Sequence, residues 1–354
     1  MDFTVNDLLI EAIEKGASDV HLNVSIPPVF RLNGKLTKTD YPALTAENVH
    51  QLIYSLISNQ QRKDFERDKQ FDFAYELKDI SRFRINIFQH RLGEAAAIRL
   101  IPSKIRSIEE LGLPDVIKTL ADKDRGIVLV TGPTGSGKST TLAAIIDLIN
   151  KKRYDHIISI EDPIEYIHHH NNCIISQREI GEHTDSFAGA LRVVLREDPD
   201  VILVGEMRDL ETISMALRAA ETGHLVFSTL HTNSAADTIE RIINAFPAHQ
   251  QAQARLQVAG TIEAVIAQTL IPTADTQSRV VAMELMLATP AIRNLIRDEK
   301  IHQIPSTIQI SGKIGMQSMD QSLKDLMMQG KITREDAIRK AINKKSFLEY
   351  AGLV

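Results

Sequence analysis

Gly132-Pro133-Thr134-Gly135-Ser136-Gly137-Lys138-Ser139 is the stretch on which the fold turns. It satisfies G-x-x-x-x-G-K-[ST] at every position, follows the apolar run Ile127 to Val130, and leads into Thr140 to Asn150, which has helical character. In a strand, glycine-rich loop and helix so arranged, backbone N–H groups wrap a phosphate and the helix N-terminus adds partial positive charge. Lys138 is then placed for the β- and γ-phosphates of a nucleotide and Ser139 for Mg²⁺. The cradle runs through Gly132, Pro133, Thr134, Gly135, Ser136, Gly137, Lys138, Ser139 and Thr140.

Outward from this loop, strand-length apolar runs alternate with helical patterns. Ile157 to Ile160, Val201 to Val204, Leu225 to Phe227 and Val280 to Leu287 are near-continuous and rich in β-branched residues. Such runs suit strands covered on both faces of a mainly parallel sheet. Thr289-Pro290 opens a helix, with Thr as cap and Pro in the first turn. Further helices are expected at Asp320 to Gln329 and Thr333 to Lys340. Upstream, Val5 to Lys15 has helical spacing, and Val20, Leu22 and Val24 alternate as a strand does. Asn33-Gly34 marks a hairpin turn, because both residues tolerate positive φ. Arg82 to Gln89 alternates, with Phe83, Ile85 and Ile87 on one face and Arg84, Asn86 and Phe88 on the other; Glu94 to Leu100 can return beside it. The expected organisation is a small α/β domain over 1–101, a polar linker over 102–125 that carries Pro102 and Pro114 and contains a short helix, an α/β core over 126–288 and a helical extension over 289–354.

Three further clusters carry candidate chemistry. Asp200 to Glu206 is an apolar strand ending in an acid, the position that P-loop enzymes need near Mg²⁺ and the attacking water. Gly205 stands where a generic strand of this kind carries Asp, so Glu206 must serve. Glu161-Asp162-Pro163-Ile164-Glu165 puts three carboxylates at the carboxyl end of the Ile157 to Ile160 strand, where an open α/β sheet binds its ligand; a solvated acidic loop is the plainer alternative. His224 and His231 flank the strand Leu225 to Phe227. At ~3.3 Å per residue they stand too far apart to share a metal, which leaves a phosphate-sensing or a structural role. The run His168-His169-His170, near His156 and His183, lacks the spacing of a helical metal pair and reads as a loop.

Composition narrows the class. The chain has 354 residues, 43% of them hydrophobic, a net charge of −5 and one cysteine, Cys173. Two domains suit that length. The acidic balance, without basic tracts interleaved with aromatics, argues against a nucleic-acid motor. A single cysteine permits no intramolecular disulfide and suits a reducing compartment. No signal peptide opens the chain, and no apolar run approaches the length of a membrane-spanning helix.

Taken in order, GPTGSGKST (Gly132 to Thr140), ISIEDPIEYIH (Ile158 to His168), LREDPDVILVGEMRD (Leu195 to Asp209) and TGHLVFSTLHTN (Thr222 to Asn233) resemble the Walker A, Asp box, Walker B and His box of the type II/IV secretion ATPases. Gly205-Glu206 is the usual ending there. GASDVHL (Gly16 to Leu22) and AIRNLI (Ala291 to Ile296) resemble the branch that retracts type IV pili, and AIRNLI is by resemblance the segment tied to retraction. The resemblance implies a RecA-like ATPase domain after a smaller PAS-like N-terminal domain, assembled as a homo-hexamer at the cytoplasmic face of the bacterial inner membrane. It implies ATP and Mg²⁺, with an inner-membrane pilus platform protein and other pilus motor ATPases as partners and no nucleic acid. Extension and secretion members commonly carry a four-cysteine zinc module, which one cysteine cannot build, so no zinc is expected. Carried over residue by residue, Lys138 and Ser139 hold phosphate and Mg²⁺, Glu206 acts through Mg²⁺ and water, and Glu165 polarises the water. His224 and His231 belong to the His box, and Arg84 and Arg99 bring charge toward phosphate. An accessory pilus or secretion ATPase, a RecA-like nucleic-acid motor and a non-hydrolysing regulator are the competing readings; intact Lys138, Glu165 and Glu206 argue against the last.

Overall fold

The computed structural model describes residues 3–32, 34–78, 80–101 and 104–352. The chain forms two compact units, Met1–Lys104 and Ile105–Val354, each with its own sheet.

In the first unit the helix Val5–Glu14 starts at a reciprocal cap: Thr4 Oγ1 accepts the Asp7 N–H, and the Asp7 carboxylate accepts the Thr4 N–H. Its buried face, Leu8, Leu9 and Ala12, meets a sheet of β1 (Asp19–Leu22), β2 (Val29–Leu32), β3 (Lys35–Lys38), β4 (Gln70–Leu77), β5 (Ser81–His90) and β6 (Gly93–Ile101). The order is β3-β2-β1-β6-β5-β4, antiparallel throughout. Leu32 pairs with Lys35 across the hairpin; Gly34 has φ +81°, and Asn33 lies outside the described residues. Phe83, Ile85 and Ile87 are fully buried on one face of β5, which leaves Arg84 on the other.

The second unit holds β7 (Gly126–Thr131), β8 (His156–Glu161), β9 (Ile174–Glu179), β10 (Val201–Val204), β11 (Leu225–Leu230), β12 (Ile262–Pro272) and β13 (Arg279–Leu287), in the order β13-β12-β7-β11-β10-β8-β9. All pairs are parallel except β12 with β13. Separate hydrophobic cores cover the two faces, which is why β7, β10 and β11 read as unbroken apolar runs. The helix Pro290–Arg297 is capped by Thr289, with Pro290 in its first turn, and buries Ile292 and Ile296 in one of these cores. The helices Met319–Met328, Arg334–Lys340 and Lys344–Ala351 gather around a smaller cluster that includes Leu323, Ala337 and Phe347. Among the described residues no helix is long and apolar enough to cross a membrane.

The stretch expected as a linker belongs instead to the second unit from Ile105 onward; Pro102 and Ser103 lie outside the described residues. Ile108, Leu113, Ile117 and Leu120 are buried against Val128, Val130 and Ile145, and Asp115–Asp122 forms a 3₁₀ helix. The polar residues and prolines hide an apolar stripe that covers one face of the sheet. Ile117→Ala is therefore expected to destabilise this unit by about 2–5 kcal/mol in urea unfolding. A solvated linker would lose less than about 0.5 kcal/mol.

Candidate active site

β7 ends at Thr131 and the chain turns sharply at Gly132, which has φ +139°. A Cβ there would lie 2.2 Å from the Gln268 carbonyl oxygen and 2.7 Å from Ser136 Oγ, so only glycine fits. Gly137, at φ +87°, starts the helix Lys138–Lys152, and no side chain caps it. Its first-turn N–H groups are thus left for an anion. Lys138 curls over the loop, with Nζ donating to the carbonyls of Gly132 (2.9 Å) and Pro133 (3.3 Å). Burial pulls the Lys138 pKa below the ordinary lysine value, against the opposing charges of Glu206 and Glu165. Both glutamates are therefore close enough for their charge to be felt at the ammonium.

Glu206 stands just past β10 and His231 just past β11, at the carboxyl ends of adjacent parallel strands. His231 Nε2 is 3.0 Å from one Glu206 carboxylate oxygen, and Arg208 Nη2 is 2.8 Å from the other. Burial pushes the Glu206 carboxyl up, but the hydrogen bond from Arg208 and the charges of His231 and Arg208 hold it below the usual value. Glu206 is thus ionised near neutrality. Gly205 has a steric reason: a Cβ there would lie 3.3 Å from Glu161 Cα and from the Ile160 carbonyl oxygen, tighter than a side chain comfortably fits. Thr229 Oγ1 donates to the Gly205 carbonyl at 2.6 Å and Ser228 Oγ to Val204 at 2.8 Å, which ties β11 to the end of β10.

Of the acidic loop after β8, Glu165 is exposed and Glu161 is not. Glu161 accepts from Ser159 Oγ (2.7 Å), Gln177 Nε2 (3.2 Å) and the Glu165 N–H (3.4 Å). It borders a small cavity of ≈ 30 Å³ that Ser139, Tyr166 and Thr229 also line. Burial raises its pKa to about 7, against those hydrogen bonds.

The remaining expected residues lie elsewhere. His224 is at the amino end of β11, about 20 Å from the phosphate loop by strand rise. Its Nδ1 contacts the Ala219 carbonyl (2.9 Å) and Thr222 Oγ1 (3.2 Å), so the structure does not bring it to His231. Arg84 and Arg99 belong to the first unit, where they face each other directly across β5 and β6. With Asp19, Asp72 and Asn86 they line a basin of ≈ 220 Å³, and Asp19 pairs with Arg99 (2.9 Å) and Arg31 (3.3 Å). The histidine run fastens loops: His168 N–H donates to Gln177 Oε1, and His170 Nδ1 accepts the Ile175 N–H. No group of three or more metal-ligating side chains converges among the described residues.

Sequence reading passed over several contributors. Arg208 follows Glu206 by two residues and lies within the stretch Leu195 to Asp209, but is assigned no role there. Glu284 of β13 is buried and accepts the Ala235 N–H at 2.7 Å, anchoring the helix Ala235–Asn244 that follows His231. A cleft of ≈ 350 Å³ opens beside Gly137, Thr140 and Thr141, with Leu113, Leu270 and Arg279 among its other walls. It is assembled from segments far apart in sequence.

A family model described as type II/IV secretion system protein matches residues 2–346. The chain is 51% identical over 341 residues to the type IV pilus retraction ATPase PilT of Pseudomonas aeruginosa, covering 96% of this chain and 98% of that one. It is 42% identical over 334 residues to the type IV pilus ATPase PilU of the same organism, covering 94% and 87%. The crystal structure of a pilus retraction motor PilT with bound ADP matches at a TM-score of 0.92 and 48% identity, covering 98% of this chain and 99% of that one.

The Glu161 carboxyl gives a pH test. Its folded pKa lies above the ordinary 4.5, so the stability it contributes is full below about 4.5 and is lost as pH rises to about 7. Glu161→Gln is expected to gain stability relative to wild type between about pH 5 and about pH 8 in urea titrations. Parallel stability curves would mean that the carboxyl is solvated in the folded chain.

Proposed function

The chain belongs to the type II/IV secretion system protein family, and within that family we infer that it is the ATP-hydrolysing motor of type IV pilus retraction. The observation that carries this reading is an end-to-end likeness to a retraction ATPase in a chain whose phosphate loop and Glu206–His231 pair lie at the same edge of one sheet. The fold is a RecA-like ATPase core with a smaller PAS-like N-terminal domain and a helical C-terminal extension.

We propose the following division of work. The uncapped N-terminus of Lys138–Lys152 and the Lys138 ammonium hold the phosphates, and the cleft beside Thr140 and Thr141 takes the sugar and base. Ser139 and the ionised Glu206 form a hard oxygen donor set that fits Mg²⁺ beside the phosphates. When bound, Mg²⁺ neutralises phosphate charge and orders water. His231 fixes the orientation of Glu206 through its 3.0 Å contact. Glu165, exposed yet felt at Lys138, polarises the attacking water. Arg84 and Arg99 face each other across β5 and β6 in a basin that Asp19 and Asp72 also line, and two guanidiniums gathered there support a role as charge for phosphate. His224 keeps only its family membership, since its contacts are to the end of the helix Leu210–Glu221.

The working form is a homo-hexamer at the cytoplasmic face of the inner membrane, acting on a membrane-embedded platform protein. Identity is higher to the retraction ATPase PilT (51%) than to the type IV pilus ATPase PilU (42%), which favours the retraction reading. In AIRNLI, Ile292 and Ile296 are buried, Arg293 bonds Glu263 (2.5 Å) and the Ala259 carbonyl (2.8 Å), and Ala291 and Asn294 are exposed.

Turnover tests the site. Glu206→Gln and Glu165→Gln are each expected to keep nucleotide binding and lower kcat by about 100-fold or more in a phosphate-release assay. Near-normal kcat in either variant would remove that glutamate from the chemistry. Specific activity is also expected to rise with protein concentration as rings form, with mass measured in parallel. Constant activity across a monomer-to-hexamer transition would contradict the assembly.

A further inference from the structure

The loop that takes the phosphates is held from behind by a side chain no sequence motif marks. Gln268 of β12 is 2% exposed, yet both ends of its amide are bonded. Nε2 donates to the Ser136 carbonyl at 2.8 Å, inside the glycine-rich loop. Oε1 accepts from Thr141 Oγ1 at 2.9 Å, in the first turn of the helix that follows. Register explains the reach: Ala267 pairs with Thr131, the last residue of β7, so Gln268 lies level with the turn at Gly132. Its own carbonyl oxygen is the atom that forbids a Cβ at Gly132, and its Nε2 would lie 3.3 Å from a Cβ at Gly137. One residue therefore touches the start, middle and end of the loop.

We propose that Gln268 is a positioning residue for nucleotide binding: it fixes the spacing between the glycine-rich loop and the first helical turn, so that the N–H groups of both face the same phosphates. This rests on the nucleotide-binding reading above and adds a residue outside its motifs. An amide is required because the two partners differ in sense. The Ser136 carbonyl needs a donor and the Thr141 hydroxyl needs an acceptor. A methionine of similar volume leaves both unpartnered in a buried site, and an ionised carboxylate would face the Ser136 carbonyl with a second acceptor. A protonated carboxyl, by contrast, restores one donor and one acceptor.

That chemistry supplies the test, with the full chain and a fluorescent Mg-ADP analogue as probe. Gln268→Met is expected to weaken binding about tenfold or more, the cost of unpaired buried polar groups. Gln268→Glu is expected to bind weakly at about pH 8.5 and to recover toward wild type at about pH 6, where a buried carboxyl is protonated. The ratio to wild type at each pH is the readout, and a residue that served only general packing would not move it. If Gln268→Met does not fold, the pH-dependent recovery of Gln268→Glu decides, together with a loss of affinity in Thr141→Val. Folded Gln268 variants that bind like wild type at every pH would overturn the proposal. Lys138→Ala separates the two levels: wild-type binding that this variant loses sustains the nucleotide reading whatever Gln268 does, and absence of wild-type binding overturns both.

Discussion

The site depends on a close approach of two backbones. Gly132 must pass the Gln268 carbonyl at a distance that leaves no space for a Cβ, because only then does the loop between β7 and its helix curl back over the sheet edge. The parallel register of β7 with β12 fixes that approach, and the two buried faces of the sheet fix the register. Loop shape is thus inherited from packing far beneath it. The stripe Ile108, Leu113, Ile117 and Leu120 contributes to the same foundation by closing one face of the sheet.

Charge is arranged around this frame by strand order. β10 and β11 are neighbours, so the residues just past them, Glu206 and His231, meet at the edge where the helix Lys138–Lys152 begins. Lys138 is partly desolvated and senses Glu206 and Glu165, while Glu206 is held ionised by Arg208 and His231. The opposite tendency appears at Glu161, which has no cationic partner among the described residues and is raised by burial instead. Two acids on neighbouring strand ends thereby differ in proton affinity, and the difference follows from which one faces arginine and histidine.

Much of this was legible in the sequence because local chemistry agreed with the global fold. The glycine-rich loop, the apolar strands β7, β8, β10, β11 and β13, and the alternation of β5 each follow from residue pattern alone. Three strands, β4, β9 and β12, were not anticipated. β9 is polar in its second half, and β12 carries Glu263 and Gln268 within its apolar run. Gln268 is the instructive case: a lone glutamine breaks a hydrophobic pattern, and its purpose appears only when residues more than a hundred positions upstream fold against it. The 105–125 stretch misled for a related reason, since prolines and charges surround a stripe that only the sheet reveals as buried. His224 shows the reverse limit. Motif membership made it a candidate for the site, but it sits at the amino end of β11, a strand's length from His231, as the spacing of the two histidines implies.

Hydrolysis becomes work only if the phosphate site and the pilus machinery share one cycle. The direct measurement is imaging of fluorescently labelled pili in cells lacking this chain, restored either with the wild type or with Lys138→Ala at matched abundance. Pili that extend but do not retract in the deletion, regain retraction with the wild type, and stay extended with Lys138→Ala are the expected result. Normal retraction in the deletion strain, or retraction driven by Lys138→Ala as by the wild type, would contradict it.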